Sequence, residues 1–122
     1  MNSVAEIENA LNHCTGTSRY HRYSIIPFFP VVTDGVKLLA DMAECYWLLD
    51  VIGSYQHPEE KNGLSNDFQV WTLEVREDES AIVKGFNDTD LIIEQEIEWT
   101  TFPMEKIKLY LIGGVLLLPS EY

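Results

Sequence analysis

Basic residues are what this chain has least of. It carries 8 Lys and Arg against 20 Asp and Glu, a formal net charge of −12. A surface of that sign repels nucleic acid and anionic membranes, so direct binding to either is not expected. Cysteine is also sparse. Cys14 and Cys45 stand alone, without a Cys-x-x-Cys pair, which excludes a disulfide framework and fits a reduced compartment. No run approaches the roughly 18 apolar residues that read as a membrane span. The opening residues, Met1 to Glu6, lack the basic and apolar regions of a secretory leader, so a cytoplasmic location is expected. Without such a leader, the glycosylation-type triplet Asn87-Asp88-Thr89 is a chance match.

Chemistry-bearing motifs are missing too. There is no glycine-rich phosphate loop, no Gly-x-Ser-x-Gly elbow and no His-Glu-x-x-His pair. His13, Cys14, His21, Cys45 and His57 match no zinc spacing. The expectation is therefore no catalytic set, no metal and no cofactor, and a binder rather than an enzyme.

What is present is material for a core. Apolar residues make up 46% of 122, too many for a disordered acidic chain. One domain spanning residues 1–122 is expected. The charge is uneven: residues 1–64 hold 8 acidic and 4 basic residues, and residues 65–122 hold 12 and 4.

The pattern predicts an α+β fold, with a short N-terminal helix and one long central helix packed on a C-terminal antiparallel β-meander. Ser3-Val4-Ala5-Glu6 reads as a capping box, opening a helix over 4–14 with Gly16 as its stop. Tyr20 to Val32 reads as an extended edge segment broken by Pro27 and Pro30. Thr33 or Asp34 can cap a helix running from about Val36 to Tyr55. Its apolar surface is wider than one stripe, which suggests packing on two sides or a homodimer interface. A polar loop follows over His57 to Asn66. The period then changes to two, giving strands at Phe68–Val75, Ala81–Phe86, Leu91–Trp99, Ile107–Ile112 and Val115–Leu118. Gly113-Gly114 suits a tight hairpin turn.

Leu91 to Trp99 carries the sharpest functional signal. Leu91, Ile93, Ile97 and Trp99 share one parity and are expected to be buried. Glu94, Glu96 and Glu98 share the other and are expected outside, about 6.8 Å apart along the strand. With Glu77, Asp78 and Glu79 adjoining, such a row imitates a row of phosphates. The plainer reading is a solvated sheet face kept charged against edge pairing. Arg19-Tyr20-His21-Arg22-Tyr23 is the one basic and aromatic cluster. With Asp50, set within the apolar part of the long helix, it supplies an alternative pocket of Arg19, His21, Arg22 and Asp50, which would make the chain a small ligand-binding domain or enzyme. Pairing with the surplus acid is the plainer explanation for its charges.

Three stretches also resemble a known group. They are Thr33-Asp34-Gly35-Val36-Lys37 with Tyr46-Trp47-Leu48-Leu49-Asp50, then Phe68 to Trp71, and then Phe102 to Tyr110 with the closing Gly114 to Tyr122. Together they resemble a family of small bacterial proteins known as a domain of unknown function, found in chromosomes, plasmids and phages. The resemblance implies a compact domain and a mobile-element setting, and brings no catalytic residues. The resulting expectation is a small acidic protein of the anti-CRISPR or anti-restriction type. It would bind a basic host protein, such as a nucleic-acid enzyme, through Glu94, Glu96, Glu98, Glu77, Asp78 and Glu79.

Overall fold

The computed structural model describes residues 3–14, 19–59, 62–65 and 67–122. Gly16, expected to stop the first helix, lies outside them, as do Glu60, Lys61 and Asn66 of the polar loop. Three helices, α1 (Val4–Asn12), α2 (Asp34–Met42) and α3 (Tyr46–Ser54), pack against a sheet of seven strands. The strands are β1 (Tyr20–His21), β2 (Val31–Thr33), β3 (Gln69–Val75), β4 (Ala81–Asn87), β5 (Asp90–Ile97), β6 (Lys106–Ile112) and β7 (Val115–Leu117). Their order is β1-β2-β7-β6-β3-β4-β5, antiparallel except where β2 runs parallel to β7. The α+β expectation holds, with the C-terminal strands β3, β4 and β5 forming the expected meander. Among the described residues, no helix is long and apolar enough to cross a membrane.

The central helix is two helices, not one. At the end of α2, Cys45 N–H reaches back to Ala40 C=O and Ala43 N–H to Leu39 C=O, while Glu44 adopts φ 51°. These are the backbone bonds of a left-handed helix stop, a position glycine usually fills. An alanine at 44 must carry the left-handed strain that glycine escapes. Glu44→Gly is therefore expected to be about 1 kcal/mol more stable than Glu44→Ala, read from urea midpoints.

The break lets α2 and α3 present separate apolar faces. Val36, Leu39 and Ala40 of α2 and Leu48, Leu49 and Ile52 of α3 join Ile7 of α1 in one core with Trp71, Leu73, Val83 and Leu109 of the sheet. Trp47 and Val51 pack partly buried against that core, so the wide apolar surface of α3 is spent within the chain. Asp50 is exposed rather than partly buried. It points away from the apolar side that the sequence pattern assigned to it.

Glu121 closes the start of α2. Its carboxylate accepts from the Thr33 hydroxyl at 2.6 Å, Gly35 N–H at 3.2 Å and Leu118 N–H at 3.0 Å. A negative group here meets the positive end of the helix dipole and satisfies N–H groups left without helical partners. A Cβ at Gly35 would lie 2.6 Å from Glu121 Oε1 and 2.7 Å from Leu118 Cδ1, so glycine leaves room for the contact. Glu121→Ala is expected to lower stability by about 1–3 kcal/mol in chemical denaturation, since it strands these donors.

Candidate functional site

The β3–β4 turn is built by its own polar side chains. Arg76 N–H donates to Ser80 C=O at 2.8 Å, and Glu79, at φ 69°, turns the chain. Asp78 accepts from the Ser80 amide at 3.0 Å and from its hydroxyl at 2.6 Å. These two bonds hold the Asp78 carboxyl below its ordinary pKa. Asp78 thus keeps its negative charge further into the carboxylate range as pH falls.

The segment after β5 folds against this turn. Trp99 donates its indole N–H to Glu79 Oε2 at 2.7 Å, and Thr100 N–H donates to Glu79 C=O at 2.9 Å. Buried Thr100, Phe102 and Met104 anchor the segment, and Val75 N–H donates to Glu105 C=O at 2.7 Å. One end of the sheet therefore gathers Glu77, Asp78, Glu79, Glu98 and Glu105, all exposed. Trp99 stands among them with 63% of its surface open. A shallow groove of about 520 Å³ runs alongside, lined by Glu74, Glu77 and Glu105 and by Arg76 and Lys106 among others.

This corrects the expectation that Trp99 is buried. The strand stops at Ile97, so alternation no longer governs residue 99. Leu91 is also exposed, at 44%. Gly85 pairs with Ile93 but Phe86 with Leu91, leaving Ile92 as an extra residue. Such a bulge moves the residue before it to the opposite face.

The glutamate row is divided by its neighbours. Glu94 lies opposite Lys84 across β4. Glu96 accepts two bonds from Arg76, at 2.8 and 3.1 Å, which lower its pKa. That pair is solvent-exposed, so it adds little to stability while removing free charge from the row. Glu98 lies past the strand end and belongs with the turn carboxylates. Glu105 was missed by the sequence reading. Its signal was the breaking run Thr101-Phe102-Pro103, which marks where the chain turns back toward β3.

The alternative pocket residues do not converge on one cavity. His21 Nε2 lies 2.6 Å from Asp34 Oδ1 beside the start of α2. Arg22 lines a groove of about 420 Å³ with Phe28, Phe29 and the Gly113-Gly114 turn, whereas Arg19 is exposed on the approach to β1. Asp50 sits on α3 near Tyr23, whose hydroxyl is pushed well above its usual pKa by burial and by that carboxylate. Burial likewise pushes the Cys45 thiol up to about 12, so it stays a neutral core group at physiological pH. Among the described residues, no three His, Cys, Asp or Glu side chains gather as a metal site needs.

A protein-family model described as a family of unknown function, DUF6876, matches residues 5–122. Neither the curated proteins nor the solved structures contain a match.

Proposed function

We propose, for a chain that belongs to the DUF6876 family of unknown function, that it is a protein-binding domain whose acidic tip engages a cation-rich surface on another protein. The observation that carries this reading is Trp99, 63% exposed and tied by its indole to Glu79 among Glu77, Asp78, Glu98 and Glu105. An exposed tryptophan held in place loses little freedom on binding and buries a large apolar area. The surrounding carboxylates steer a basic partner and set its orientation.

A protein that holds nucleic acid offers such a surface, with cations arranged for phosphates and apolar or aromatic groups for bases. Covering it would block that protein, which gives the domain the action of an inhibitor. A mobile-element setting, of the anti-CRISPR or anti-restriction kind, fits this action. Within the proposed site Glu77, Asp78, Glu79 and Glu98 act together, while Glu96 is shared with Arg76 and Glu94 lies opposite Lys84.

A peptide rich in arginine and tryptophan, titrated into isotope-labelled protein, tests the assignment. The Trp99 indole signal and the amides of 76–80 and 98–105 are expected to move, with movement suppressed by salt. Larger shifts around Glu94, or none at Trp99, would overturn the tip as the site.

A further inference from the structure

The face of the sheet turned away from the helices carries an apolar ridge. Strand register aligns Leu117, Tyr110, Val70, Phe86 and Leu91 across five neighbouring strands. Their parity is opposite to that of Trp71, Leu73 and Val83, which face the core. Phe68 and Tyr122 extend the ridge. Their rings lie 5.2 and 5.6 Å from that of Tyr110, and Tyr122 is 76% exposed. A sheet with one solvated face is normally polar there, so an apolar line across five strands is a departure.

Cations border this ridge. The next rows across the sheet are Lys108, Thr72, Lys84 and Glu94, then Lys106, Glu74, Ile82 and Glu96. Arg76 reaches Glu96 at their end. All four basic residues of 65–122 therefore sit on or beside this face. Arg76 is paired, but among the described residues the ammonium groups of Lys84, Lys106 and Lys108 have no ion pair or hydrogen bond. Lys84 faces Glu94 and Lys106 faces Glu74 across the strands without closing an ion pair, so these ammonium groups remain open to negative charge from outside. Charges farther than about 8 Å away are largely screened at physiological salt, and on these rows Lys84, Lys106, Lys108 and Arg76 stand against Glu74, Glu94 and Glu96, which leaves the face one positive charge in a chain of net −12.

We infer that this face binds an acidic amphipathic helix of a partner protein. The ridge spans about 19 Å at roughly 4.8 Å per strand spacing. A helix stripe of that length takes about 13 residues at roughly 1.5 Å each. Its apolar stripe covers Tyr110, Val70 and Phe86, and its acidic flank meets Lys108, Lys84 and Lys106. At the edge of β6, where the face meets the end of α1, a groove of about 570 Å³ opens beside Lys106 and Lys108, walled by Leu11, Leu118 and Thr72. This surface adjoins the acidic tip, since Glu74 and Lys106 line grooves beside both, and the domain would hold partners of opposite charge on neighbouring faces.

The probe is a fluorescein-labelled helical peptide of about 14 residues with a leucine stripe and a glutamate flank. A second peptide carries lysine in place of each glutamate. The acidic peptide is expected to bind saturably, and the basic one at least about tenfold more weakly. The variant Lys84→Gln, Lys106→Gln, Lys108→Gln alters only exposed or half-exposed groups and is expected to lose at least about tenfold in affinity. Trp99→Ala is expected to bind the peptide as the unaltered chain does, which separates this face from the tip. Equal binding of both peptides, unchanged binding by the triple variant, or no binding at all would overturn the proposal. So would a dimer in sedimentation that Leu91→Glu abolishes, because a second copy would then be the occupant.

Discussion

Trp71→Ala is expected to destabilise the fold by about 3–5 kcal/mol, the range for emptying an aromatic site in a core. Trp71 is 1% exposed on β3, and its ring packs against Tyr55 at 5.8 Å between centroids. On the neighbouring strand a Cβ at Gly85 would lie 2.7 Å from the indole, so glycine there makes space for the ring. The loss is polar as well as apolar. The indole N–H donates to Gln69 Oε1 at 2.9 Å, and Gln69 exchanges bonds with Gln56 and donates to Ser65 C=O. Removing the indole loosens the contact between α3, the loop after it and β3 together. Against a total stability of about 5–15 kcal/mol, such a loss is a large fraction. Urea unfolding followed by circular dichroism measures it, and a change below about 1 kcal/mol would show that Trp71 does not organise the core.

Trp99→Ala should have the opposite profile. It is expected to weaken binding of the basic partner by about 2 kcal/mol or more, roughly thirtyfold. Stability should change by no more than about 0.5 kcal/mol, the range for an exposed surface position. The indole's one hydrogen bond is to the exposed Glu79, which water can satisfy after truncation. Titration calorimetry and urea unfolding on the same sample separate the two quantities. Unaltered affinity with unaltered stability would make Trp99 an ordinary surface residue.

Local signals in the sequence carried most of the fold. Ser3 and Glu6 form the capping box their spacing predicts. The alternation from Gln69 to Leu111 gave the strands, and Gly113-Gly114 takes positive φ at both positions, 56° and 80°, as a tight hairpin turn requires. The break between α2 and α3 was hidden because Glu44 occupies a position where glycine is the usual sign. The parallel pairing of β2 with β7 was hidden for another reason. It joins residues 31–32 to 115–116, and no local pattern specifies a partner so distant in sequence.

The candidate site was legible in part. Glu77, Asp78, Glu79 and Glu98 were identified by charge, and the fold brings them to one end of the sheet. Period-two alternation assumes an unbroken strand, so it assigned Leu91 and Trp99 to the core. A one-residue bulge and an early strand end placed both in solvent. Composition gave the sign of the whole chain but not its distribution. The clustering of Lys84, Lys106 and Lys108 on one face emerged only from strand register.

The most direct test of the acidic tip is affinity capture from lysate of the source cell. The bait is either the unaltered chain or a variant carrying Trp99→Ala, Glu77→Gln and Asp78→Asn. Capture at about 0.1 M and about 1 M salt shortens the screening length from roughly 10 to 3 Å. A basic nucleic-acid-binding protein is expected, recovered by the unaltered chain at low salt, released by added DNA and absent from the variant. Recovery of that protein by the variant in equal amount would contradict that expectation.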